Sequence, residues 1–149
     1  MNRARRLAPA VAIAGVAGAA FLAIRGPAAP DVTRGASLYA EHCASCHGAG
    51  LEGEAEWRNP NPDGSLRAPP HDDSGHTWHH GDRLLFDYVR LGGAETLRRM
   101  DVGGVVSGMP AFGDILSDAE IRDVLAFIRA SWSPEMRAFQ AARTEDEVR

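Results

Sequence analysis

Cys43-Ala44-Ser45-Cys46-His47 holds the only two cysteines of this 149-residue chain. Two cysteines cannot form a disulfide scaffold or a four-cysteine zinc site. On one helical turn, residues three apart share a side, so the two thiols face the same way and an imidazole follows directly. C-x-x-C-H is the attachment signature of c-type haem. Each thiol adds to one vinyl group of the porphyrin, and the histidine meets the iron as proximal ligand. A thioredoxin-like pair would need a strand-helix-strand context, which is absent. A zinc site would need a second ligand pair, and an incidental disulfide leaves His47 unexplained.

Helical signals lie on both sides of this motif. Asp31 can cap a helix running to Cys43, with Val32, Ala36, Tyr39, Ala40 and Cys43 on one apolar face. Asp82 starts a second helix with Leu84, Leu85, Tyr88, Val89 and Leu91 apolar, and Gly92-Gly93 ends it. Ser117 and Glu120 form a capping box for a third, with Leu116 and Ile121 as its hydrophobic staple. Ile121, Val124, Leu125, Ile128 and Trp132 then repeat at helical spacing, and Ser133-Pro134 breaks the helix and can restart a polar tail helix over 133–149. From Gly48 to Gly81 no period is sustained; a loop this long wraps something or does something. No segment alternates as a strand should. Three modest helices make a poor core alone, so something large and apolar should fill the centre.

In order and spacing these pieces resemble the class I c-type cytochromes over about residues 31–132: a helix with Gly35 and Tyr39, Cys43-Ala44-Ser45-Cys46-His47, then Gly108-Met109-Pro110-Ala111-Phe112, then a capped helix ending near Trp132. The resemblance implies a small all-α fold of three core helices around one covalent haem c. It implies Met109 as the second axial ligand, opposite His47, an arrangement that raises the potential. Of the other methionines, Met1 is in the leader, Met136 lies beyond the last core helix, and Met100 follows Arg98-Arg99 in a loop or core position. It also implies that Gly35 lets the first and last core helices approach closely, with Tyr39 near Phe127, Ile128 or Trp132. The carbonyl of Pro69, or of its neighbour Pro70, would accept a hydrogen bond from the other ring nitrogen of His47.

His71, His76, His79 and His80 crowd into ten residues. Three readings stand: a second metal site for copper or zinc, hydrogen bonding to the haem propionates with Trp78 or Arg67 as donors, or a solvated loop at the haem edge. His42, just before Cys43, is expected to be exposed.

Composition is ordinary for a globular domain, with 44% hydrophobic and 24% charged residues, which excludes disorder throughout. Every basic residue is arginine. Four of the 16 (Arg3, Arg5, Arg6, Arg25) precede residue 31, and none of the 20 acids does, so residues 31–149 carry 12 arginines and a formal −8. That balance argues against nucleic acid as a partner and favours a basic surface. Arg3, Arg5 and Arg6 precede Leu7–Ile24, which has no charge. As a helix it would be roughly 27 Å long, close to the ~30 Å hydrocarbon core. Residues 1–24 therefore read as a membrane anchor holding 31–132 on the periplasmic face, with 25–30 as a stiff linker. Cleavage after Ala19 or Ala20 would instead release a soluble periplasmic protein.

Iron ligated on both faces has no position open to substrate, so the expected function is one-electron transfer rather than catalysis. The resemblance suggests redox protein partners: a quinol-oxidising complex or dehydrogenase on one side and a terminal oxidase or reductase on the other. Two alternatives remain. Without Met109 as ligand, the iron could bind peroxide or a gas; and the His71–His80 loop could serve a metal-handling module.

Overall fold

The computed structural model describes residues 28–149. The leader, and most of the 25–30 linker, lie outside the described residues. No described helix is long and apolar enough to cross a membrane. The elements run α1 (Val32–His42), α2 (Ala44–His47), β1 (Ser65–Leu66), a single 3-10 turn (Thr77–His79), α3 (Asp82–Leu91), α4 (Gly93–Arg99), β2 (Val106–Ser107), α5 (Asp118–Ala130) and α6 (Pro134–Asp146). The fold is all-α, with α1, α3 and α5 as the three expected core helices.

Local chemistry sets their ends. The Asp31 carboxylate accepts from the Thr33 and Arg34 amides, which starts α1. Ser117 and Glu120 cap each other's backbone at the start of α5, and Leu116 and Ile121 pack together in one apolar cluster with Val89. Ile121, Val124 and Ile128 are at most 3% exposed. Burying each contributes about 1.5–3 kcal/mol, and this stripe holds α5 on α1. Tyr39 lies in the same core as Ile128 and Trp132, its ring centroid 5.3 Å from that of Phe127.

The α1 face differs from the reading in one respect. Gly35 and Tyr39 are buried, Ala40 is exposed and Val32 is 43% exposed. The axes close at Gly35, where a Cβ would stand 2.5 Å from the Asp123 carbonyl carbon, so the seam runs through the glycine rather than through Val32. Asp123, buried on α5, accepts from the Asp31 amide at 2.7 Å and pairs with Arg34.

Gly92, at φ 80°, ends α3, but the chain restarts at once as α4 rather than entering a loop. Met100 caps the C-terminus of α4 and is 47% exposed, outside the core. One short parallel pairing, Ser65 with Val106 and Leu66 with Ser107, ties the long loop to the segment after α4. Two-residue strands carry no alternation to read.

The polar tail forms α6, capped by Ser133 with Pro134 in its first turn. Gln140 on α6 is 2% exposed and donates to Asp82 at 2.8 Å. Near its end, Glu147 accepts from the Arg83 and Leu84 amides at 2.9 and 3.2 Å. Gly81 has no side chain to cap α3, so the tail supplies the cap.

Candidate functional site

Cys43 closes α1, its amide donating to Tyr39 O at 2.9 Å. The chain then makes one tight turn, with the Cys46 and His47 amides donating to Cys43 O at 3.1 and 2.9 Å. Both cysteines are free thiols, Cys43 half-buried and Cys46 exposed. Burial, with Cys46 adding to it, pushes the Cys43 thiol up to about 11. Cys43 is therefore a protonated thiol at neutral pH rather than a thiolate.

His47 is buried. Its Nδ1 lies 2.9 Å from Pro69 O. A carbonyl oxygen only accepts, so Nδ1 carries the proton and the Nε2 lone pair is left free. Burial pulls His47 below the ordinary histidine value, against the opposing Pro69 hydrogen bond, which favours the neutral ring a metal requires.

Three sets of contacts bring Pro69 to that position. Gly53 N donates to His47 O at 2.7 Å, Glu54 N to Ala68 O at 2.9 Å, and His71 N to Leu51 O at 2.8 Å. Gly53 has φ 68°, and a Cβ there would meet Pro70 N at 2.5 Å, so only glycine lets the two stretches lie together. From the other side Tyr39 OH donates to Gly48 O at 3.0 Å and His47 O at 3.3 Å. Pro70, the alternative acceptor, instead accepts at its carbonyl from the Thr77 hydroxyl at 3.4 Å.

The histidine-rich loop divides into separate contacts. His71 stacks on His47, ring centroids 4.1 Å apart. His76 stacks on Trp57 at 5.2 Å, and the Arg58 guanidinium lies over the same indole, 4.2 Å from the ring centroid. Trp78 meets His79 at 3.8 Å and Phe139 of α6 at 5.4 Å. Among the described residues no group of three or more His, Cys, Asp or Glu is arranged to hold a metal ion. Trp78 Nε1 and Arg67 Nε are buried without a hydrogen-bond partner, although Arg67 also donates through a terminal nitrogen to Ala55 O at 3.0 Å. Unpaired buried donors are costly, and a carboxylate would satisfy them.

Met109 is half-buried, packed with Phe112 on Val89, Leu116 and Ile121. Its carbonyl accepts from Gly93 N at 3.0 Å. Met136 packs on the opposite cluster. His42 is not exposed as expected: its side chain is 20% accessible, and its ring lies 6.2 Å from that of Phe112, between the thiol turn and the Met109 loop. Leu66, Val102, Val105 and Val106 expose apolar side chains around the strand pair. Thiols one turn apart followed by a buried neutral imidazole with a free Nε2 fit a porphyrin bearing vinyl groups, and buried donors without partners suit its carboxylates.

Sequence reasoning gave His71 no role at His47, nor Tyr39 a bond to the motif's backbone. Twenty-four residues separate the stacked rings, and no local period links them.

The family model described as cytochrome C oxidase, cbb3-type, subunit III matches residues 30–128. The gluconate 2-dehydrogenase cytochrome c subunit of Pantoea cypripedii is 30% identical over 122 residues, which cover 80% of this chain and 24% of that protein. The chain thus spans about a quarter of that relative's length. No solved structure gives a significant match.

Proposed function

The chain belongs to the cbb3-type cytochrome c oxidase subunit III family of c-type cytochromes, and from that premise we propose that it is a monohaem electron carrier ligated by His47 and Met109. Haem c, when bound, supplies a one-electron couple. Cys43 and Cys46 would tether it through thioethers. His47 offers Nε2 while Pro69 holds Nδ1, and Met109 offers its thioether from the loop before α5. Phe112, Leu116 and Leu85 would exclude water, and Trp78 Nε1 and Arg67 Nε would donate to the propionates. The observation that carries the reading is the 2.9 Å contact from His47 Nδ1 to Pro69 O, directly after two free thiols. It fixes the one tautomer able to bind iron through Nε2.

With His47 and Met109 both holding the haem, the chain would pass electrons and leave substrate chemistry to a partner. The relative named a dehydrogenase cytochrome c subunit supports placing this chain as the haem subunit of a dehydrogenase-type complex that feeds a terminal oxidase or reductase. Residues 1–24 would hold it at the periplasmic face of the inner membrane. Its acidic domain favours a basic docking surface and a small, weak interface.

Periplasmic expression followed by a covalent-haem stain after denaturing electrophoresis tests the tether. Optical spectra of the oxidised protein test the ligands. Met109→Ala should abolish the methionine-to-iron absorption and Met100→Ala should keep it; the reverse overturns the assignment. A parent protein lacking that absorption would instead favour an open iron site for peroxide or a gas.

A further inference from the structure

The His71 ring lies over the His47 ring with planes 22° apart and centroids 4.1 Å apart. We propose that His71 is a positioning residue that fixes the plane of the axial imidazole, an inference resting on the reading of His47 as an iron ligand. The Pro69 hydrogen bond alone leaves the His47 ring free to pivot about the line from Nδ1 to the carbonyl oxygen. A flat ring against its face removes that freedom. Both restraints come from one short stretch: the Pro69 carbonyl sets the direction of the ring and His71, two residues later, sets its plane.

His71 is itself held in a way that suits this task. Its Nδ1 lies 2.8 Å from Thr77 Oγ1. Its carbonyl accepts from Trp132 Nε1 at 2.7 Å, and its amide donates to Leu51 O at 2.8 Å. Tyr39 stands edge-on to the ring, 6.2 Å away at 74°. Thr77 is buried, so the anchor does not compete with water. A branched aliphatic side chain would fill similar space without matching a planar face, whereas a phenyl ring would keep the stack and lose only the Thr77 bond.

Ligand-plane orientation splits the iron d orbitals, which the g values of the low-spin ferric protein report and which bears on the reduction potential. The test compares His71→Leu, His71→Phe and Thr77→Val with the parent, all matured with covalent haem, by electron paramagnetic resonance and redox titration. His71→Leu should shift the g values and the ferric-to-ferrous ratio at fixed ambient potential, with the methionine-to-iron absorption retained. His71→Phe should restore most of the parent signature, and Thr77→Val should move it in the same direction by less. His71→Leu matching the parent, or His71→Phe departing as far as His71→Leu, overturns the proposal. If His71→Leu does not mature, parent g values in Thr77→Val overturn it. A parent without low-spin, covalently bound haem refutes the ligation reading first, and the positioning role falls with it.

Discussion

Gly35→Ala places one methyl group at the α1–α5 seam, and its cost follows from what that methyl meets. A Cβ at residue 35 would stand 2.5 Å from the Asp123 carbonyl carbon, closer still to its oxygen, and 3.1 Å from Phe127 Cβ. Ordinary carbon contacts lie near 3.5–4.0 Å, so the shortfall is about 1 Å. The obstacle is helix backbone and cannot swing aside, so the helices must part. Parting loosens the Asp31 and Arg34 bonds to buried Asp123 and the Tyr39–Phe127 contact. Overpacking costs about 1–3 kcal/mol, and weakening a hydrogen bond to a buried carboxylate adds about 1.5–3 kcal/mol. Alanine's better helix propensity returns about 1 kcal/mol. The net loss is about 1.5–5 kcal/mol, or roughly 6–20 °C in Tm for a domain of this size. Guanidinium unfolding of the haem-loaded protein, followed by far-ultraviolet circular dichroism, should show a lower midpoint at unchanged slope. Ser37→Ala, on the exposed face of the same helix, should be neutral or slightly stabilising. A Gly35→Ala midpoint at or above the parent's would refute the close-approach argument.

Three further outcomes follow from the loop and the tail. Glu147→Ala removes the cap on α3 and should cost about 1 kcal/mol, seen as faster hydrogen exchange at the Arg83 and Leu84 amides; unchanged exchange would show that the cap is idle. Trp132→Phe leaves the His71 carbonyl without its donor and should cost about 1–3 kcal/mol, measured by denaturant midpoint, with a loss near zero counting against that bond. Burial lowers the folded-state values of His76 and His80, so the unfolded chain takes up protons first as pH falls. Stability should be constant above the ordinary histidine value of about 6.5 and decline as pH drops through it toward the folded values. Tm measured across that window should fall less steeply in a His76→Asn, His80→Asn double variant, where buried His71, also lowered by burial, keeps its own share, and a parent Tm that ignores pH there would sink the argument.

How far the sequence could be read depended on whether a signal was local. Asp31, Ser117 and Glu120 act within three residues of themselves, and their caps are where the pattern predicts them. The stripe of Ile121, Val124 and Ile128 is legible for the same reason. The motif turn at Cys43–His47 needs only its own backbone. The stretch from Gly48 to Gly81 is different. Its order comes from pairings such as Leu51 with His71 and Glu54 with Ala68, which leave no period in either strand of the contact. Gly92 ends α3 where the pattern predicts it, but nothing in the local sequence marks the immediate restart as α4, because the same positive-φ glycine both ends one helix and aims the next. Val32 misled because periodicity cannot tell which side of a small helix will close on a glycine. The stack of His71 on His47 needed three dimensions altogether.

The tail shows how the distant parts of the site are joined. Asp82 in the first turn of α3 pairs with Arg129 of α5 and accepts from Gln140 of α6, so three helices converge on one carboxylate. A negative charge is also favourable at a helix N-terminus. Phe139 of the same tail lies against Trp78 and His79, and Ser133 N donates to Asp73 at 2.9 Å. Helix α6 thus presses the 71–80 stretch onto the core from outside, while Trp132 holds it from within through His71. Both restraints act on the stretch that carries the His71 ring and the unpaired Trp78 donor. A site that changes charge by one electron gains when its polar groups are already aimed and need not rearrange. The polar tail thus packs on the stretch that carries the His71 ring beside His47, although no residue of the tail belongs to the motif itself.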